Sequence, residues 1–389
     1  MKILVLLSRV PWPLEKGDKL RAFHHIKEMS RQHEVILCCL SDKRVHPQAK
    51  KVLSEYCSQV HIFRLNKIAI FFRLVRAIFS SKPFQVHYFY KKTVQKQIDK
   101  IVEREMPAHI FVQLIRTAEY AKKYPFIPNT FDYMDAFSRG VERRIKYSIP
   151  GLRRLFITES NRLKHYEASV FKFFQNKIII SEQDRDLISH PDKNEIEIIP
   201  NGVDLDFYQP SDVKPQYTIG FTGNMAYPPN VRAALFLASE VLPLVQKELP
   251  DASLLISGTN PVAKIKSLDN GNDIIVTGWV KDIRDSYTQA DIFVAPMQIG
   301  TGLQNKLLEA MAMKKPCITS ELANQALGAV DGKEVLIGFS AQDYADIIVN
   351  LTKNKERKQQ LADKGYQFVQ QNFSWDNNSK KLLQIIEKQ

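Results

Sequence analysis

Cysteine is scarce: four residues in 389, at positions 38, 39, 57 and 317. No CxxC pair or His cluster stands near them at metal-ligand spacing, which excludes a zinc-ribbon or disulfide-framed protein. Cys38 and Cys39 sit inside an apolar run and are expected as buried thiols of a reducing compartment. No apolar run approaches the roughly 18 residues that span a bilayer. The opening MKILVLLSRVPWP is too short in its apolar part for a secretory signal, and no small-residue cleavage site follows. A cytoplasmic protein is therefore expected. The first apolar run leads into RVPWPLEKGDKLR with no GxGxxG, which argues against a nicotinamide dehydrogenase. Acid is the minority charge: 42 Asp and Glu against 55 Lys and Arg leave a net +13. Such a balance calls for an anionic partner, whether nucleic acid, an anionic membrane or a phosphorylated small molecule. No nucleic-acid reading module is recognisable, so nucleic acid is not an expected partner.

What is present reads as two ordinary globular domains. Hydrophobic residues make up 44% and charged residues 25%, and the length exceeds what one core usually serves. Short apolar, β-branched runs alternate with helical stretches. In the first half they are Ile3–Leu7, Val35–Leu40, Val60–Leu65, Ile110–Leu114 and Lys177–Ser181. In the second half they are Tyr217–Thr222, Ser253–Ser257, Ile274–Thr277, Ile292–Pro296 and Pro316–Ser320. That alternation predicts an α/β fold with doubly wound parallel sheets. The turn-laden IIPNGVDLDFYQPSDVKPQY separates the halves. The expected boundaries are 1–195 for the first domain, 196–215 for a linker, 216–372 for the second domain and 373–389 for a last helix. In that helix Ser379, Leu382, Leu383 and Ile386 recur at helical spacing.

Two basic stretches stand out. In RLNKIAIFFRLVRAIFSSK a helix would place Arg73 and Arg76 on one side and Ile68, Phe71, Leu74, Val75 and Ile78 on the other. That pattern fits a helix lying in a membrane interface, and equally a surface helix packed on its own core. From Arg139 to Lys177, Arg143, Arg144, Lys146, Arg153 and Arg154 interleave with apolar residues. They would attract anionic headgroups or a diphosphate-linked acceptor, or form a solvated face.

The segment APMQIGTGLQNKLLEAMAMKKPCITS is the most informative. A strand ends at Pro296, a loop holds Gly300 and Gly302, and a helix begins near Asn305. Free N–H groups at a helix start suit a phosphate, and Lys306 adds a full charge in the first turn. Glu309 follows, where its carboxylate can accept hydrogen bonds from two ribose hydroxyls. Glycine loops before helices and a Glu in a first turn are also common without any ligand.

GLQNKLLEAMAMKKP resembles the donor-binding signature of glycosyltransferase family 4, retaining enzymes of the GT-B architecture. Leu308–Glu309–Ala310–Met311–Ala312 carries the match, closed by Lys315–Pro316. In chain order, IIPNGVD, FTGNMAYPPN, Ser257–Gly258, TGWV at 277–280 and NFSW at 372–375 are similar to other segments of that family. The likeness is to its exopolysaccharide-associated subgroup with a GxQNKxLEAMA motif. It implies two Rossmann-like domains facing a cleft, with the C-terminal helix crossing back to the first. It also implies transfer of a monosaccharide from a nucleotide-diphosphate sugar to a glycan or lipid-linked acceptor, in polysaccharide or cell-envelope glycan synthesis. On this basis the donor would touch Gly17, Gly223, Asn224, Gly258, Val280, Thr301, Gly302, Leu303, Gln304, Asn305, Lys306 and Glu309. Lys306, Glu309, Lys19 and Arg21 would carry the chemistry, with no metal and no cofactor. Two departures stand out. The family's first glutamate falls at Thr301, and the basic pair expected after Gly223 is missing, with only Arg232 further on.

Residues after the first-domain strands are candidates for the acceptor side, because ligands of open α/β sheets lie beyond the carboxyl ends of strands. Arg116, Asp132 and Asp135 are those candidates, while His24, His25 and His109 are expected to be structural. An anionic membrane surface is a further candidate partner, with a peripheral position on the inner face. Two other functions share the architecture: a nucleotide-sugar epimerase and a non-catalytic membrane-associated scaffold.

Overall fold

A computed structural model of the chain describes residues 1–14, 16–145, 150–299 and 302–388. Two compact units form, one from Met1–Pro200 with Asp376–Gln389 and the other from Asn201–Trp375. The α/β expectation holds in both, each built on one parallel sheet.

The first unit has strands β1 (Lys2–Leu7), β2 (Glu34–Ser41), β3 (Gln59–Arg64), β4 (His109–Gln113), β5 (Asn129–Met134), β6 (Asn176–Ile179) and β7 (Glu197–Ile198). They lie in the order β3-β2-β1-β4-β5-β6-β7, so the winding reverses between β1 and β4. Side chains alternate across a strand. Ile3, Val5 and Leu7 therefore enter one apolar cluster, and Leu4 and Leu6 enter another on the opposite face. Helices cover both faces, which is why β1 and β2 are apolar along nearly their whole length rather than alternating. The helix Trp375–Glu387 closes one face: Leu382, Leu383, Ile385 and Ile386 pack with Ile3, Val5 and Leu37.

The second unit has β8 (Tyr217–Thr222), β9 (Leu254–Ser257), β10 (Ile274–Gly278), β11 (Ala290–Ala295), β12 (Cys317–Thr319) and β13 (Leu336–Ile337). Their order, β10-β9-β8-β11-β12-β13, reverses between β8 and β11. The four cysteines are buried and free.

The segment 196–215 is not a simple linker. Glu197–Ile198 is an edge strand of the first sheet, paired with β6. Val203 is buried in the second core, where its amide donates to the Phe373 carbonyl. Arg73 also departs from expectation. It turns inward and donates to the carbonyls of His87 and Tyr88 at the end of the Phe84–Phe89 helix, because those carbonyls lack intrahelical partners.

Candidate active site

In the second unit the parallel strands deliver their carboxyl ends to one edge. Gly223 follows β8 and Gly258 follows β9, both at positive φ (156° and 138°). The two loops touch: the Gly223 amide donates to the Ser257 carbonyl at 3.0 Å, and a Cβ on Gly258 would stand 1.7 Å from the Gly223 oxygen. No other residue type fits there, so the backbone is laid bare at the edge.

The helix Asn305–Ala312 begins at this edge, after the loop that follows β11. Gln304 caps it in an extended conformation and makes no side-chain bond to the helix amides; its Nε2 donates to the Gly302 carbonyl instead. Of the first-turn N–H groups, that of Leu307 donates to the Gln304 carbonyl at 2.9 Å, while those of Asn305 and Lys306 lack intrahelical acceptors. Lys306 projects from this turn. Its ammonium donates to Asn230 Oδ1 at 2.6 Å and lies 4.3 Å from the centre of the Phe221 ring. It also stands about where a side chain on Gly223 would begin, 3.1 Å from that Cβ position. Part of the side chain reaches solvent, but the ammonium is crowded by protein, and this burial pushes it down to about 7 against a weaker upward pull from Glu309. Among the described residues no carboxylate forms an ion pair with it.

Glu309, one turn on, is half-buried. Its Oε2 accepts from Tyr287 Oη at 2.5 Å, Tyr208 also bonds to the carboxylate, and Tyr287 in turn meets Thr222 Oγ1 at 2.9 Å. Burial pushes the Glu309 carboxyl up, and these hydroxyls oppose that shift. Two buried polar atoms at the same edge, Asn305 Oδ1 and Ser257 Oγ, have no hydrogen-bond partner. Such atoms are uncommon in folded proteins and commonly mark where a ligand or water completes the bonding.

Of the expected donor residues, Gly223, Gly258, Gly302, Gln304, Asn305, Lys306 and Glu309 gather at this edge. Leu303 is partly buried against the core. Asn224 is exposed in the turn after β8, and Val280 is half-buried beyond β10. Thr301 lies outside the described residues, as do Gly300 and Lys146. Arg232 leans to the loop after β11, where its Nε meets Gln298 Oε1 at 2.5 Å. Asn230, Tyr287 and Tyr208 were not singled out in the sequence. Asn230 ends the quoted FTGNMAYPPN, but an Asn in a helix gives no sign of pairing with a lysine 76 residues away. The tyrosines come from the Ile283–Gln289 helix and from the segment expected to be a linker.

The first unit brings together fewer of its candidates. Arg21 and Asp132 are wholly buried and paired with each other, Nε to Oδ2 at 2.7 Å and Nη2 to Oδ1 at 3.2 Å. Arg21 also donates to the Ile199 carbonyl at 2.8 Å. Neither can face a substrate, which corrects both assignments: a buried guanidinium needs its carboxylate, and that need consumes both. Lys19 is half-buried beside Ser8, Arg9, Asp18 and Gln113, and Gly17 opens its helix. Arg9, not singled out before, pairs with Asp18 at 2.6 Å. Leu114 and Met134, both at φ 68°, bend the chain sharply at the ends of β4 and β5. Arg116 and Asp135 follow these bends. Arg116 donates to Gln85 Oε1 at 3.0 Å and stacks on Phe89 and Phe137. Asp135 is exposed, yet enough protein surrounds its carboxyl, with Asp184 adding like charge, to push it up to about 6 against the pull of Arg116. His109 bonds Thr130 and His25 approaches Ser379, both inside the core. Two Asp-x-Asp spacings occur in the chain. Asp184 bonds Ser181 at a helix start, and Asp204 accepts from the amides of Asp206 and Phe207.

Residues 216–354 match the family model described as glycosyl transferases group 1. Over its full length the chain is 24% identical to an uncharacterized 44.6 kDa protein in the cps region of Klebsiella pneumoniae, covering 99% of that protein. It is 25% identical to the putative teichuronic acid biosynthesis glycosyltransferase TuaC of Bacillus subtilis, over 60% of this chain and 63% of TuaC. In fold it is similar to HepE of Anabaena, solved in complex with UDP, with a TM-score of 0.67 at 13% identity over all of both chains. It is likewise similar to TarM, with a TM-score of 0.68 at 12% identity over 99% of this chain and 98% of TarM. The fold is thus the GT-B class of two α/β units, and it is the second unit that matches the glycosyl transferases group 1 model.

Proposed function

We propose that the protein is a retaining glycosyltransferase that moves a hexosyl group from a nucleotide-diphosphate sugar to a glycan or lipid-linked acceptor. The process it serves is polysaccharide or cell-envelope glycan synthesis, from a peripheral position on the cytoplasmic face of a membrane. One observation carries the donor assignment: the Lys306 ammonium, without an ion-pair partner among the described residues, meets the bare Gly223 loop at the open start of the Asn305 helix. A pyrophosphate would supply the missing anion and take up the free amides. Glu309, oriented by Tyr287 and Tyr208, would accept from the ribose hydroxyls. The nucleotide diphosphates bound to HepE and the cps and teichuronic acid contexts of TuaC and the Klebsiella protein support the same substrate class.

In the transfer step the acceptor hydroxyl oxygen bonds to the anomeric carbon while the bond from that carbon to the β-phosphate oxygen breaks. Attack comes from the leaving-group side, so configuration is retained. The departing phosphate takes the acceptor proton. Lys306 and the helix amides stabilise the charge that develops on the diphosphate. No metal or cofactor takes part in this scheme. Arg116 and Asp135 are the acceptor-side candidates that remain.

A thermal-shift screen against UDP, GDP, ADP and CMP identifies the base, since a ligand at 100 times its dissociation constant adds roughly 2.7 kcal/mol. Lys306→Ala and Glu309→Ala should each lower transfer by at least about tenfold, the loss of one charged hydrogen bond, while melting stays cooperative and EDTA leaves the parent rate unchanged. Unchanged turnover in both variants would remove the site assignment. A new nucleotide sugar formed without acceptor would make the protein an epimerase instead.

A further inference from the structure

The helix Lys67–Ala77 of the first unit is turned inside out. Asn66 caps it firmly, accepting from the amides of Ile68 and Ala69. Its inward face is Ile70, Arg73, Leu74 and Ala77, and the cation on it, Arg73, is spent on the carbonyls of His87 and Tyr88. Its outward face is Ile68, Phe71, Phe72 and Val75, continued by Ile78 and Phe79. Phe71 and Phe72 are 63% and 62% exposed and Phe79 is 90% exposed, so three aromatic rings stand in solvent within nine residues of sequence. Burial of this face on the protein's own core, one of the two expectations above, does not occur. An exposed patch of this kind marks an interaction surface.

The charge around the patch identifies its occupant. From Tyr56 to Ile98 the chain has eight Lys and Arg and no Asp or Glu. Arg64, Lys67 and Arg76, within or beside the helix, are exposed. The long helix Pro150–Val170 meets the same end of the Lys67–Ala77 helix, where Arg162 donates to the carbonyls of Ala77 and Ile78. Upstream on that helix Leu152, Arg153, Arg154, Leu155 and Ile157 repeat the mixture of exposed apolar and cationic residues. A second copy would oppose cation to cation across a two-fold axis, which is unfavourable. A bilayer with anionic headgroups accepts both features together, rings into the acyl boundary and cations at the phosphate level.

We propose that the outward face of the Lys67–Ala77 helix, with Ile78 and Phe79, docks the protein on an anionic lipid bilayer. The inference is independent of the donor assignment, because every residue it uses belongs to the first unit and none contributes to the Lys306 site. Flotation of the full chain with phosphatidylcholine vesicles, with and without phosphatidylglycerol, tests it. Binding should require phosphatidylglycerol and weaken with added salt. The combined variant Phe71→Ser, Phe72→Ser and Phe79→Ser should lose flotation while melting and UDP affinity stay as in the parent, since these rings touch no core. The variant Arg64→Gln, Lys67→Gln and Arg76→Gln should bind about a hundredfold more weakly, from the loss of three charges at the surface. Parent protein that fails to float, or a serine variant that floats as well as the parent, overturns the proposal. So does a parent that self-associates and becomes monomeric in the serine variant without binding vesicles, which would make the face a contact between copies. Failure of UDP binding in the parent would count against the donor site alone.

Discussion

Lys306 carries a proton balance that can be measured. Burial lowers its ammonium to about 7 in the free protein. A diphosphate needs it charged, so above that pH each binding event must take up one proton. Affinity for UDP should therefore fall as pH rises above about 7, approaching about tenfold per pH unit. Calorimetry in buffers of differing ionisation enthalpy reads that proton directly, and Lys306→Met should flatten the profile. A flat profile in the parent would mean that Lys306 does not meet the phosphates. Single residues also show where sequence reasoning reaches its limit. Lys19 and Arg21 are two positions apart in the same helix, about 200° around its axis. One therefore borders the sheet edge and the other enters the core to meet Asp132. Asp132 and Asp135 divide similarly, one inside β5 and the other beyond the bend at Met134.

At the scale of elements, the donor edge depends on two loops in backbone contact. Gly258→Ala would force a methyl carbon to 1.7 Å from the Gly223 oxygen at a φ of 138°. We expect a loss of about 3 kcal/mol in urea unfolding, from strain and overpacking together, with weaker UDP binding because the Gly223 loop must move. An unchanged unfolding midpoint would contradict the close approach. Most strands were legible because aliphatic, β-branched runs buried on both faces differ plainly from the helices between them, whereas β5, reading NTFDYM, is not among those runs because polar residues break it. Of the weaker strands, β7 and β13 span two residues each, too few to show a period. The Lys67–Ala77 helix was legible as a helix, but its rotation was not. The carbonyls of His87 and Tyr88 fix Arg73 inward, and nothing local announces that.

On the scale of the whole molecule, the last helix matters to the first unit despite its distance along the chain. Leu382, Leu383, Ile385 and Ile386 cover Ile3, Val5 and Leu37. Four buried aliphatic side chains contribute roughly 1.5–3 kcal/mol each as an upper estimate, a sum comparable to the whole stability of a domain. Deleting residues 376–389 should leave the first unit unable to fold cooperatively, while the second still shows a thermal transition by calorimetry. Two retained transitions would show that the helix is dispensable. The sequence by itself determined the α/β class, the alternation of strands and helices, and the Asn305 helix start with Lys306 and Glu309, because each follows from local composition and spacing. Only the tertiary structure decided that Lys306 meets Asn230 and Gly223, that two tyrosines hold Glu309, that Arg21 and Asp132 neutralise each other, and that three phenylalanines face outward. Those outcomes depend on which distant surfaces meet and on how far each helix is rotated against its sheet.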